Sequence, residues 1–464
     1  MTQTKIISAK VQSLTLPIKK RLTTPQLLKT GLYVTWAVSL VLAIATILGV
    51  QKQRYAIKTL GKDTAPSILL AERIKDTLAG MDAAAVNELL VKSKENQRAI
   101  NDYEERRKAF AQRLIAAAQN ITYGDAELKP IQTLQLAVGD YIAKLQQARD
   151  FNARGETQGV LSAYREAAQI MDNTLLPAAD ALAEANSQEL NITYDHQKDT
   201  TTKALFLVVI SGLLLLGVLV VIQLFLNHRM RRVFNPMLVT ATGITVIFVG
   251  YTIYSFISSS YNLKTAKENS FVSLHALRRV RALAYGLKAD ESRYLLDPAF
   301  AAKHEQAFLD KVAKIAKIPG SQTFETVTDL LAQGKKVDGF QGLLADELNT
   351  ITSTGEREMA LSTLATLGRY LTIDKQIRQL EQSGKHQQAI ALCIGYEQAQ
   401  SNGAFVEFKT ALQKTSDTNQ QAFDKAVARG FSNVNGFEIT TPVVAVVVSV
   451  LTLLGLLPRI KEYS

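Results

Sequence analysis

Arginine is the residue type in this chain best placed to hold a ligand. Arg278, Arg279 and Arg281 stand together, and Arg73 occupies the place of Arg279 in an earlier, similar segment. A guanidinium offers a planar fork of donors that fits a carboxylate bidentately, so the group would suit an acidic ligand. The plainer alternative is a solvated helix face with charge pairs such as Glu72 beside Arg73. A second basic cluster, Arg229, Arg231 and Arg232, lies in a short loop. It would act first as a topology determinant and second as a docking surface for a cytosolic partner. The irregular segment 384–405 is either a helix connection or a loop where partners bind.

Catalytic constellations are missing. There is no P-loop, no Rossmann glycine run, no HExxH and no GxSxG. The five histidines, at 196, 228, 275, 304 and 386, form no ligand-spaced pair, so no metal or other cofactor is expected. Cys393 is alone and makes no intramolecular disulfide; its surroundings suit a small buried hydrophobe. The chain is expected not to be an enzyme.

What positions these residues is a membrane. Residues 31–50, 204–226, 236–257 and 441–457 contain no Asp, Glu, Lys or Arg, and each is long enough to cross a hydrocarbon core of about 30 Å. A signal peptide is a poor reading of the first, which follows 30 mostly polar residues and runs too long for a signal core. Without charges in the spans, a transporter or channel lacks its usual polar markers.

Lysine and arginine near the spans give the orientation. Residues 1–30, 227–235 and 458–464 hold eleven basic residues against Glu462, which is +10 of the formal net charge of +11. These pieces are expected inside, and the large loops 51–203 and 258–440 outside. The basic excess thus faces anionic lipid and requires no nucleic-acid partner.

The plan of span, large loop, span is used twice. Residues 55–90 and 261–296 align without a gap at an offset of 206, with nine identities that include Tyr55/Tyr261, Arg73/Arg279, Gly80/Gly286 and Leu90/Leu296. This predicts an internal duplication. In the first loop Ile74, Leu78, Met81, Ala85 and Leu89 alternate steps of four and three, as do three later stretches. Breaks near 91–96, 122–130 and 152–159 divide them into four helices. Pro177 is expected to kink the fourth. The second loop is punctuated at 297–298, 319–320, 334–342, 383–384 and 395–403, with Ser401 and Asn402 as N-cap candidates. The fold class expected is all-α, with four transmembrane helices carrying two extracytoplasmic antiparallel helical bundles. Heptad faces also make a homodimer possible.

Several segments carry a family resemblance. They are Tyr164-Arg-Glu-Ala-Ala-Gln-Ile-Met-Asp-Asn-Thr-Leu-Leu-Pro-Ala-Ala179, Arg231-Arg-Val-Phe-Asn-Pro236, Ala389-Ile-Ala-Leu-Cys-Ile-Gly395 with Ser401-Asn-Gly-Ala-Phe405, and Leu457-Pro-Arg-Ile-Lys-Glu-Tyr463. In this order, on a four-span plan, the chain resembles the GlnX-type bacterial membrane sensors. That resemblance implies chemoreceptor-like four-helix-bundle ectodomains. It also implies a relay of amino-acid availability from an extracytoplasmic solute-binding lipoprotein to a cytosolic Ser/Thr protein kinase. The seven residues after the last span leave no room for an output domain, so a separate output protein is expected. The rival expectation is an envelope scaffold that oligomerises through its bundles and transmits nothing.

Overall fold

The computed structural model describes residues 23–230, 235–320, 322–351 and 354–462. In chain order the helices are α1 (Thr24–Lys58), α2 (Ala65–Leu89), α3 (Gln97–Gln119), α4 (Asp125–Arg154), α5 (Thr157–Ile170), α6 (Leu176–Met230), α7 (Pro236–Lys264) and α8 (Val272–Leu296). Then follow α9 (Ala301–Ile315), α10 (Phe324–Ala332), α11 (Leu343–Thr350), α12 (Thr354–Gln382), α13 (His386–Ile394), α14 (Ser401–Asn433) and α15 (Phe437–Glu462). The all-α class holds among the described residues, where extended pairing is confined to an isolated bridge between Lys317 and Gln341.

Short π-helical turns join some of these helices: Thr59–Thr64 between α1 and α2, Thr265–Phe271 between α7 and α8, and Met171–Leu175 between α5 and α6. The first two begin 206 residues apart, the offset of the sequence matches. The third lies just ahead of Pro177, which has no N–H to return to the preceding turn. Widening that turn accommodates the missing donor, so the irregularity at this proline is a π-turn.

The four charge-free stretches fall inside α1, α6, α7 and α15, and each of these helices is long and apolar enough to cross a membrane. Nearly all of the length of these four stretches lies in one compact unit, made from Met1–Gly49, Ala204–Tyr254 and Gly436–Ser464 where described. Helices in lipid gain little from apolar burial and pack instead through small residues and polar links. Here a Cβ on Gly212 would meet Val249, and one on Gly31 would meet Ile222. The Gln223 amide donates to Thr242 at 2.7 Å, Asn235 to the Gly455 carbonyl at 2.8 Å, and the Trp36 indole to the Ser449 carbonyl at 3.1 Å. Leu40, Phe206, Leu213, Ile247 and Val446 stay exposed, as lipid-facing side chains must.

The second unit is Val50–Lys203 with Ser255–Asn435. The two large loops, expected as two bundles, share one apolar core here: Leu78, Tyr141 and Leu175 belong to the same cluster as Leu287, Leu364 and Phe408. The turns after α2 and α4 fall at the breaks read at 91–96 and 152–159, whereas the break read at 122–130 closes by Asp125 and leaves Pro130 inside the first turns of α4. The α2 stripe Ile74, Leu78, Met81, Ala85 and Leu89 is buried to 4 % exposure or less within the chain itself. It is therefore not a free face for a second copy.

Candidate functional site

α2 and α8 form the centre of this unit. Glu72 touches His275, Asn87 touches Ser292 and Asp82 touches Arg293, at separations of 203, 205 and 211 residues. A nearly constant separation means that the two helices run in the same direction, side by side. Neighbours cover both on almost every face, and so polar residues are buried along with apolar ones. Among the buried residues are Asp76 and Asp82 on α2, and Lys288, Asp290, Glu291 and Arg293 on α8. A buried charge is tolerated only when paired and hydrogen-bonded.

The pairing is extensive. Arg293 reaches Asp82 at 2.7 Å, Asp172 at 2.9 Å and Asp290 at 3.3 Å, and donates to the Tyr164 hydroxyl at 3.1 Å. Tyr141 and Tyr164 also donate to Asp82, both at 3.3 Å. Burial raises the Asp82 carboxyl above its usual range, and the Arg293 guanidinium limits that rise. On the other flank Lys288 donates to Glu291 and Ser401 at 2.8 Å and to the Cys393 carbonyl at 2.9 Å. Glu291 also accepts from Ser401 and Tyr370, each at 2.6 Å, and its carboxyl is held low by Lys288 and these donors despite burial. Cys393 is buried beside this lysine, and burial pushes its thiol up to about 12, so it is inert as a nucleophile.

Ser401 and Asn402 depart from the sequence reading. They do not cap α14; Gln400 precedes that helix without a side-chain cap. Ser401 is spent on Glu291 and Lys288, while Asn402 donates to Asn87 at 3.1 Å and to the Ile394 carbonyl at 2.8 Å. The seam offers stronger partners than the exposed amides of a helix start.

The arginines divide into two groups. Asp76 lies 3.2 Å from Arg113 of α3 and 3.2 Å from Arg281 of α8. Arg278 feels the charges of Arg73, Asp76 and Arg281, so these pairs sit in a strongly basic neighbourhood. Arg278 is 7 % exposed and makes no ion pair or hydrogen bond among the described residues. Burial, then the charge of Arg73, lowers it to about 10. Arg279 points elsewhere, into a cavity of about 670 Å³ with Glu72, Lys75, Asp180, His275 and Lys314. Arg229 is exposed near the end of α6, whereas Arg231 and Arg232 lie outside the described residues. Among the described residues no three His, Cys, Asp or Glu side chains group as a metal site.

With this seam defined, the comparison with known families finds one correspondence. Residues 56–195 match the actinobacterial sensor domain family. No curated protein and no solved structure matches the chain. The sensor domain covers α2 to α5 and the start of α6, and so includes Arg73, Asp76, Asp82 and Asp172. The partners of Asp76 and Asp82 on α8, Arg281 and Arg293, lie beyond it. The sensor domain and the four apolar helices together fit a bacterial multi-pass membrane sensor.

Sequence reasoning missed the Asp82–Arg293 and Lys288–Glu291 pairs. One trace was available: Asp82 interrupts the otherwise charge-free run 79–86. The α8 charges had none, because Lys288-Ala-Asp-Glu-Ser-Arg293 reads like any solvated helix face.

Proposed function

We propose that this protein is a non-catalytic transducer that relays an extracytoplasmic signal, amino-acid availability, to a separate cytosolic Ser/Thr kinase. The two large segments lie outside and the termini inside, and the stimulus arrives through a solute-binding lipoprotein. The kinase docks on residues 1–30, on 227–235 with Arg229, Arg231 and Arg232, and on 458–464. Arg73, Arg278 and Arg281 take an acidic group of the ligand or of its carrier, and Arg279 contributes from the neighbouring cavity.

The observation that carries the reading is the seam. Helical structure is continuous over Thr24–Leu89 and over Pro236–Leu296, so α2 and α8 each extend from an apolar stretch. Between them lie ion pairs, which exchange partners in discrete steps and do not stretch smoothly. A small axial shift of one helix against the other therefore selects between arrangements, which is what a switch requires. The sensor-domain match supports the sensory role. The orientation rests on the lysine and arginine bias, and the lipoprotein and kinase on the family resemblance.

The test is affinity purification of the tagged protein from native membranes in mild detergent, from amino-acid-rich and starved cells, followed by mass spectrometry. Recovery of a solute-binding lipoprotein and a Ser/Thr kinase, with occupancy that shifts between conditions, is expected. Recovery of the same envelope proteins under both conditions would move the assignment to a scaffold.

A further inference from the structure

A smaller cavity, of about 130 Å³, opens beside the seam between α2, α3, α8 and α14. Its floor is made of small residues, Gly80, Ala83 and Ala84, and its walls include Tyr285, Tyr396 and Phe405. Four cations line it, Arg98, Arg106, Lys288 and Lys409, against Asp102 as the acid.

The cations are not equally available. Lys288 is committed to Glu291 and Ser401. Arg98 is stacked on Tyr396 at 3.7 Å. Arg106 gives one N–H to the Tyr285 hydroxyl at 2.6 Å and has no carboxylate partner among the described residues. Lys409 makes no hydrogen bond or ion pair there; its ammonium sits 5.0 Å from the Phe405 ring centroid and 5.3 Å from that of Tyr285. Arg106 and Lys409 thus converge on one tyrosine ring, and neither has a carboxylate within ion-pair distance among the described residues. Burial, followed by repulsion from Arg106, lowers the Lys409 ammonium, although Tyr285 and Asp102 pull the other way. Burial, and then the Asp102 charge, push the Tyr396 hydroxyl up to about 12.

We propose that this cavity binds a small organic carboxylate, with its carboxylate between Arg106 and Lys409 and its carbon chain against Ala83, Ala84 and the Phe405 ring, the Arg106 guanidinium itself lying over Gly80. The volume matches a ligand of roughly benzene's size. The pairing is charge-assisted on both sides and excludes water on the aromatic side, where each bond is worth most. Direct binding here is independent of the lipoprotein and kinase of the relay, and either can fail without the other.

The test is calorimetric titration of the full chain in nanodiscs with acetate, succinate, glutarate and glutamate, and with inorganic phosphate as a non-carboxylate anion. At least one carboxylate is expected to bind saturably, with Lys409→Gln and Arg106→Gln each weakening it about tenfold or more. Lys409→Arg should retain most of the affinity, which separates lost charge from lost folding. Arg154→Gln, on the surface at the end of α4 and away from the cavity, should leave it unchanged. The proposal is overturned if no carboxylate saturates by about 10 mM, if binding survives both charge-removing variants, if Arg154→Gln weakens it as much as they do, or if phosphate binds as well as the carboxylates.

Discussion

Replacing Arg293 by Met tests whether the α2–α8 seam is held by its charges. The substitution keeps side-chain bulk but removes the guanidinium that Asp82 meets at 2.7 Å and Asp172 at 2.9 Å. Asp290 keeps Lys311, whereas Asp82 keeps only the hydroxyls of Tyr141 and Tyr164. Orphaning one member of a buried pair costs about 3–5 kcal/mol, a fall in melting temperature of roughly 4–7 °C for a unit of this size. The loss should depend on pH. Burial already raises Asp82 above its unfolded value, and without Arg293 it rises further. The folded variant then holds a proton that the unfolded chain has released, so its stability falls as pH rises through the window between the two values. The deficit relative to wild type should be small near the ordinary carboxylate value and grow as pH rises above it. Adding Asp82→Asn should recover much of the loss at high pH and remove its pH dependence. Chemical unfolding in mild detergent, followed by circular dichroism across that range, measures all of this. A deficit under about 1 kcal/mol at high pH, or no recovery in the double variant, would refute the reasoning.

The remaining predictions concern single side chains. Burial, and then the Glu291 charge, raises Asp374 to about 7, so this group opposes folding increasingly as pH climbs from its unfolded value toward 7. Asp374→Asn should gain on wild type across that window, by at most about 1.4 kcal/mol per pH unit, and level off above it, as read from paired unfolding curves. Arg278→Met removes an unpaired buried guanidinium and should be neutral or stabilising by about 1–4 kcal/mol in anion-poor buffer; a clear loss of stability would show that this arginine has a partner. Gly403→Ala places a Cβ 1.9 Å from the Glu397 carbonyl oxygen and should cost about 1–3 kcal/mol in the same assay.

The sequence disclosed those features whose cause is local. Four charge-free runs leave few options, and all four lie in helices of membrane-crossing length. The break read at 152–159 is the left-handed Gly155 that ends α4. Arg278, Arg279 and Arg281 could be picked out because they are adjacent, and Arg73 because it is the repeat-equivalent of Arg279; of these, Arg281 pairs with Asp76 and Arg278 feels its charge. What stayed hidden depends on pairing between distant helices. Nothing near Arg293 announces that its partner lies 211 residues away. Arg279, next to Arg278 in sequence, turns to a different cavity because adjacent residues on a helix point about 100° apart. The cavity beside the seam was illegible for the same reason, since Arg106 and Lys409 come from different loops.

The central claim, that the α2–α8 seam moves with the stimulus, is tested most directly by a disulfide across it. Asn87 and Ser292 contact each other at 3.3 Å, and Cys393 lies 3.6 Å from the Ser292 hydroxyl, so Asn87→Cys and Ser292→Cys are placed in a Cys393→Ala background. Crosslinking rates are then compared in membranes from amino-acid-rich and starved cells. Rates that differ several-fold between the two conditions are predicted. Equal rates, in a variant that still folds and still reaches the membrane, would contradict a moving seam.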